Sequence, residues 1–327
     1  MGKRKHISDL SATRSTPTSK AKVKKAKVDL LKEPRFLGLV VGISASESDD
    51  LQRLGLSELH LNDLIVEISR YLLASGASLA YGGDLRKNGI TQTLIELVDR
   101  YRFDTQDQAN RLRSYLAYPI NLTLEKEEEA RYIERIKFIK VTPPKDLHRV
   151  DSKQFIPPEG LENLYMRSRN LTHMREVMEK DCNARIFIAG RSTNFKGIAP
   201  GVLEELFISL KSTTPVYLIG SYGGITSQIT SHLNDEAPIK DLIKSICNEQ
   251  HFVEMKKKYE EKGQSDHMTW PEELPNLLEG GWGKISSLNG LSVEENKRLT
   301  KTIHNNEIIY YLLKGLTQVS TNQKLTT

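Results

Sequence analysis

The sequence holds only two cysteines in 327 residues, Cys182 and Cys247. That excludes a disulfide framework, and their spacing offers no zinc site. No apolar run approaches the roughly 18–20 residues of a membrane span, and mean hydropathy is −0.45. The N-terminus lacks the apolar region of a secretory signal. The expectation is a cytoplasmic protein without a membrane segment, with Cys182 a small buried side chain. A Walker P-loop, a nucleophile elbow and an ordered GxGxxG are absent as well. No metal and no cofactor is expected.

Acid is scarce at one end of the chain. Residues 1–32 carry ten Lys/Arg against Asp9 and Asp29, and the remainder has 37 basic and 40 acidic residues, so the +5 net charge arises in the tail. The tail is rich in Ser, Thr and Lys and nearly devoid of large apolar residues. Such a segment buries too little surface to offset its ordering entropy, which predicts a disordered stretch over 1–33. Its charge would suit nucleic acid or another polyanion, or simply keep the chain soluble.

Beyond the tail the pattern alternates. "FLGLVVGI" (36–43) is a continuous apolar run, as in a strand buried on both faces. A helical stripe follows, with Ser57 as N-cap and Gly76 as stop. "ASLAY" (77–81) is a strand, and "ITQTLIELVDRY" a helix. The middle, about 104–160, reads as "YLAYPINLTL" (strand), "EKEEEARYIER" (helix) and "IKFIKV" (strand), with prolines marking loops. The alternation returns with a long helix over 160–182, the strand "ARIFIAG" (184–190), the helix "PGVLEELFISL", the strand "TPVYLIG" (214–220) and the helix "ITSQITSHL". This order predicts an α/β fold, a Rossmann-like doubly wound parallel sheet with helices on both faces. The predicted organisation is a core domain over 34–235 with an inserted middle segment, a C-terminal helical segment over 236–318 and a frayed end over 319–327. Ser292 and Glu295 fit a capping box near the final helices.

Four glycine-bearing loops fall at strand carboxyl ends, where open parallel sheets bind ligands. They contain Gly42, Ser44 and Ser46; Gly82, Gly83, Asp84 and Arg86; Gly190, Arg191 and Gly201; and Gly220, Tyr222, Gly223 and Gly224. Glycine lets backbone N–H groups approach a phosphate, and the following helix start adds its positive dipole. Serine hydroxyls can donate, and Arg86 and Arg191 can make charge-assisted contacts. All of these are candidate ligand-binding residues. Glu204 and Glu205 stand in the first turn of the helix after the third loop. There they would favour the helix dipole, or one would face the pocket and stabilise positive charge developing on a sugar, as glycoside cleavage requires. Arg167, Arg169 and Arg175 lie on the long helix, as solvated surface or as a clamp for an anionic ligand.

"LVVGISAS", "GASLAYGGDLRKNGITQTLIELV", "HMREVMEKDCNARIFIAG" and "PGVLEELFISL…TPVYLIG" together resemble the SLOG superfamily over about 36–233. That superfamily includes the LOG-type, lysine-decarboxylase-like phosphoribohydrolases and relatives that sense nucleotide signals. The resemblance implies a nucleotide ligand and a catalytic pair: Arg175 by its spacing to the strand, and Glu204 or Glu205, with Glu205 preferred. Here the glycine cluster of the family signature is stretched to "GRSTNFKGIAPG", and a plain glycine run is replaced by "GGDLRKNG". Three readings follow. The chain is a nucleotide N-glycosidase, or a non-catalytic nucleotide sensor of the kind found in defence or conflict systems, or a nucleic-acid-binding protein using residues 1–32. The resemblance also favours a homodimer or higher homo-oligomer, for which the apolar "EIIYYLLKGL" would serve as interface or as core.

Overall fold

The computed structural model describes residues 35–83, 90–101, 111–147, 153–157 and 159–326. The basic tail expected to be disordered lies outside them, as do Asp84 and Arg86. Six strands form one all-parallel sheet in the order β4-β3-β2-β1-β5-β6. They are β1 (Val40–Ser46), β2 (Ser78–Gly82), β3 (Leu112–Leu116), β4 (Ile136–Lys140), β5 (Ala184–Ala189) and β6 (Val216–Ile219). The chain winds outward from β1 to β4, then returns to place β5 on the other side of β1. The order therefore reverses between β1 and β5, and that is where such a sheet opens a crevice at its carboxyl edge.

Helices α1 (Asp50–Arg53), α2 (Glu58–Ala74) and α3 (Ile90–Arg100) connect the first strands, and α4 (Lys126–Tyr132) joins β3 to β4. The long α5 (Gly160–Asp181) leads into β5, α6 (Gly201–Lys211) joins β5 to β6, and α7 (Gly224–Leu233) follows β6. The remainder is helical: α8 (Ile239–Cys247), α9 (Gln250–Glu261), α10 (Trp270–Leu278), α11 (Gly281–Asn289), α12 (Val293–Lys301) and α13 (Asn305–Thr326). Among the described residues no helix is long and apolar enough to cross a membrane.

The two faces of the sheet are packed differently. Val41, Ile43, Leu79, Tyr81, Ile186 and Ile188 point into one core with α2, α3 and α13. Alternate residues point the other way, toward α5 and α6, as the period of two requires. There Phe187 joins a core with Leu203, Leu206 and Trp270, and Val40 and Ala80 meet Met174 and Met178 of α5. "EIIYYLLKGL" lies in α13, where Ile308, Ile309, Leu312 and Leu316 are buried in the first core.

Some boundaries differ from the sequence expectation for physical reasons. β1 begins at Val40 rather than Phe36, because Gly38 takes φ +83° and Leu39 N–H bonds back to the Phe36 carbonyl. The "YLAYPINLTL" run leaves the sheet after Leu116, and its Pro119 opens a 3-10 turn over Ile120–Thr123. The middle segment carries β3 and β4 and so extends the same sheet. Pro200 is the N-cap of α6, one position before the helix proper. The Ser292–Glu295 capping box forms at α12.

One buried arginine holds this frame together. Arg111, 6 % exposed, donates through Nη1 to the Tyr101 carbonyl and through Nη2 to the carbonyls of Leu73 and Ala77. It thereby ties the chain at the carboxyl ends of α2 and α3 together, adding a side-chain bond to the Leu73 carbonyl that also accepts from the Gly76 N–H. The substitution Arg111→Met keeps the stem and removes the donors. It is expected to cost about 2–4 kcal/mol of stability, read as a lower urea midpoint at unchanged m-value.

Candidate active site

The register of β1 and β5 determines what the crevice contains. Gly42 pairs with Arg185 and Ser44 with Phe187. Arg185 is 1 % exposed and crosses the face toward α5 and α6. A Cβ at Gly42 would stand 2.3 Å from its Cδ, so only glycine leaves it a path. An arginine buried this deeply needs partners for its charge. Nη2 donates to Ser44 Oγ at 2.5 Å and to Glu205 Oε2, and Nη1 donates to Glu179 Oε2 at 3.2 Å. Ser44 in turn donates to Glu205 Oε2 at 2.5 Å, and Ser209 donates to Glu179 Oε2 at 2.9 Å. Burial acts to lower the Arg185 pKa, yet Glu205, Cys182 and Glu179 outweigh it and the net shift is upward. Cys182 is half-buried by residue, but burial of its sulfur pushes the thiol up to about 12.

A second arginine binds the two glutamates from α5. Arg175 Nη1 donates to Glu204 Oε2, and its Nε reaches Glu205 Oε1 at 3.4 Å. Glu204 is 2 % exposed and also accepts from Thr172 at 2.5 Å. Its burial raises its pKa, opposed by Arg175 and the Thr172 hydroxyl. Glu205 is oriented differently. It lines a recess of about 160 Å³ with Ser44, Ser46, Gly82, Arg175 and Gly201. Its Oε2 is held by Ser44 and Arg185, while Oε1 has only the long Arg175 contact and lies 3.9 Å from where a Gly82 Cβ would stand. Gly201 has no side chain to push Arg175 aside, since a Cβ there would be 2.8 Å from Nη2.

A larger cavity of about 610 Å³ shares Ala45, Ser46, Tyr81, Arg175 and Gly201 with this recess. Its wall adds Gly83, Arg167, Arg191, Phe195 and Lys196. That volume lies within the roughly 300–1,000 Å³ usual for small-molecule sites. Arg191 is tied to Glu47 at 2.6 Å, and its backbone N–H donates to Ser46 Oγ at 3.2 Å. Phe195 stacks edge-on against His251 with ring centroids 5.4 Å apart.

The structure thus gathers Ser44, Ser46, Gly82, Gly83, Arg175, Arg191, Gly201 and Glu205 around the two hollows. Other anticipated residues line neither. Gly42 is covered by Arg185, and Gly190 packs against Val202. Glu204 faces Thr172 and Arg175. Gly220 abuts Thr230 and the Thr300 carbonyl, and Tyr222 is buried. In the fourth loop a carboxylate of the protein itself occupies the helix start. The Gly224 N–H donates to Asp50 Oδ2 at 2.8 Å, and a Cβ at Gly223 would stand 2.4 Å from the Asp50 Cβ. Arg185, Glu179 and Thr172 were not anticipated. The available signal was a lone arginine inside the apolar strand "ARIFIAG", a position that demands buried counter-charge.

Two outcomes follow from this geometry. Arg185→Met would leave Glu179 and Glu205 without their shared cation and is expected to cost about 3–5 kcal/mol, with Arg185→Lys costing less. Chemical denaturation of both variants checks it. The Gly224 N–H holds Asp50 below its ordinary pKa of 3.8. A depressed acid stabilises the fold above its unfolded pKa and loses that contribution as pH falls through the folded value. Asp50→Ala should therefore cost about 1 kcal/mol at neutral pH, with the two stability curves converging in strong acid. A gap of constant size down to about pH 2 would contradict this assignment.

No curated protein matches the chain. A family model described as SLOG cluster2 matches residues 35–299, a span that takes in every strand and every residue of both hollows. Family membership supports a nucleotide-related function in general. The crevice between β1 and β5, with its buried arginine and the Glu205 carboxylate in its recess, is accordingly the central feature of a chain that belongs to the SLOG cluster2 family.

Proposed function

We propose that the chain binds a nucleotide or nucleotide-derived ligand in the 610 Å³ cavity, with the ribose over the recess and Glu205 beneath it. The observation that carries this reading is the division of labour at Glu205. Oε2 is fixed by Ser44 and Arg185, and Oε1 is left facing the recess. A carboxylate oxygen so placed accepts hydrogen bonds from sugar hydroxyls. Tyr81, Leu171 and Phe195 give the cavity apolar surface for a base.

The same placement fits cleavage of the N-glycosidic bond. As the base departs, positive charge builds on the sugar ring, and a fixed, ionised carboxylate stabilises it without having to reorganise. Arg175 and Arg185 hold the two Glu205 oxygens in place. The roles are then Glu205 as the group facing the reacting sugar and Arg175 as the residue spanning Glu205 and the α6 start. Glu204, buried on Thr172, is the counter-charge that keeps Arg175 in place.

A second reading draws on one specific observation. Glu205 already accepts from three side-chain donors, which suits a rigid binding floor as well as a reacting group. On that reading the ligand is bound and read rather than cleaved.

Purified protein incubated with nucleoside monophosphates, NAD, ADP-ribose and cyclic nucleotides separates the readings. A folded-state ligand raises the melting temperature by mass action, and chromatography of the same samples detects a released base. Under the hydrolytic reading, Glu205→Gln keeps the thermal shift and lowers turnover by at least a hundredfold, about the effect of removing one electrostatic stabiliser. A shift without product for any ligand would establish binding alone. No shift with any of them would overturn the nucleotide reading.

A further inference from the structure

Arg167, Leu171 and Arg175 recur every four residues on α5, and all three line the large cavity. They form one stripe of the helix. Three arginines on α5 touch the buried interior of this region, and two have counter-charges. Arg169 makes a two-pronged pair with Asp146, both bonds 2.9 Å, and Arg175 has Glu204 and Glu205. Arg167 has no carboxylate partner among the described residues. Its Nε is buried with no hydrogen-bond acceptor. Burial alone pulls its pKa down, with no opposing charge. An unpaired buried donor of a charged group is costly to leave unmade. The Arg167 side chain as a whole lines the cavity, whose wall carries Glu47 and Glu58 as well as cations, so an anion entering there can meet the outer part of its guanidinium. Lys196 lines the same cavity and adds a second cation.

The position of this cation sets a length. Arg167 stands eight residues before Arg175, about 12 Å along the helix axis at 1.5 Å per residue. Arg175 stands beside Glu205, where the proposed function puts the ribose. A phosphate attached directly to that ribose remains near Arg175. A second phosphate, or a pyrophosphate bridge, extends outward along the stripe toward Arg167. Leu171 lies between the two arginines, so the wall offers a cation, an apolar step and a cation in sequence.

We propose that Arg167 seats an outer phosphate, and that the ligand of this cavity is a nucleotide carrying a pyrophosphate or diphosphate group rather than a free nucleoside or monophosphate. This rests on the nucleotide reading of the cavity. It adds where the anion lies and how far the ligand extends. A guanidinium offers two parallel N–H donors to a phosphate, which an ammonium does not.

Isothermal titration of the full chain with nucleoside, 5′-monophosphate and 5′-diphosphate, run for each of the four common bases, tests it. Wild type should bind the diphosphate of the preferred base most tightly, by on the order of tenfold over the monophosphate. Arg167→Ala should remove that increment while leaving nucleoside and monophosphate affinities unchanged, which also shows that the variant folds. Arg167→Lys should restore part of it. Equal weakening of all three ligands by Arg167→Ala, or no change in any, would overturn the outer phosphate seat. Nucleosides that bind wild type as tightly as their diphosphates would overturn it too, with the nucleotide cavity still standing. Failure of every nucleoside and nucleotide to bind wild type would remove the nucleotide reading and this inference together.

Discussion

Arg185 is the constraint on which the rest of the site depends. A guanidinium 1 % exposed inside a parallel sheet is tolerable only if its charge is met, and here Nη1 and Nη2 are bonded while Nε is buried without an acceptor. Its neighbours supply counter-charge and acceptors from three elements. Ser44 comes from β1, Glu179 from α5, and Glu205 and Ser209 from α6, with Gly42 vacating the space its stem crosses. Each partner is thereby fixed. The orientation of Glu205, the feature that gives the recess its chemistry, follows from a buried ion pair rather than from the loop it borders.

The same web explains why the glycine loops are not equivalent. The third loop leads into α6, whose first turn carries Glu204 and Glu205, and Arg175 can lie across its start because Gly201 is bare. The fourth loop also carries glycines, but Asp50 fills its helix start from within the chain. A loop left open at its helix start and a self-capped turn thus use the same residue types. What separates them is whether a carboxylate already occupies the N–H groups. The electrostatic arrangement of the crevice is likewise asymmetric. Its inner end presents a carboxylate held by two arginines, and its outer wall mixes Arg167, Arg191 and Lys196 with Glu47 and Glu58.

Much of the fold was legible in the sequence because the strands are buried on both faces. "VVGI", "ARIFIA" and "VYLI" read as apolar runs, and the last two are followed by a glycine and a helix. The capping box at Ser292 was legible because it is local. The start of β1 was not, since it depends on a positive φ at Gly38 that apolar patterning does not report. In the site, Ser44 and Ser46 could be nominated from their loop, and Arg175 and Glu205 from the family resemblance of the helices that carry them. Choosing between Glu204 and Glu205 could not follow from adjacency, because consecutive helix residues differ by about 100° and only the packing of α6 determines which one meets Thr172. Arg185 was missed because its role arises from register across β1 and β5, a pairing between residues 141 positions apart from Ser44 to Arg185.

The central claim is that Glu205 Oε1 is the acceptor presented to a bound nucleotide. A crystal structure of the chain grown with the tightest-binding nucleotide tests it most directly. The account predicts a ribose hydroxyl within about 3 Å of Oε1, Oε2 still held by Ser44 and Arg185, and the outermost phosphate at Arg167. A nucleotide seated elsewhere, or one in this cavity with its sugar turned away from Glu205, would contradict it.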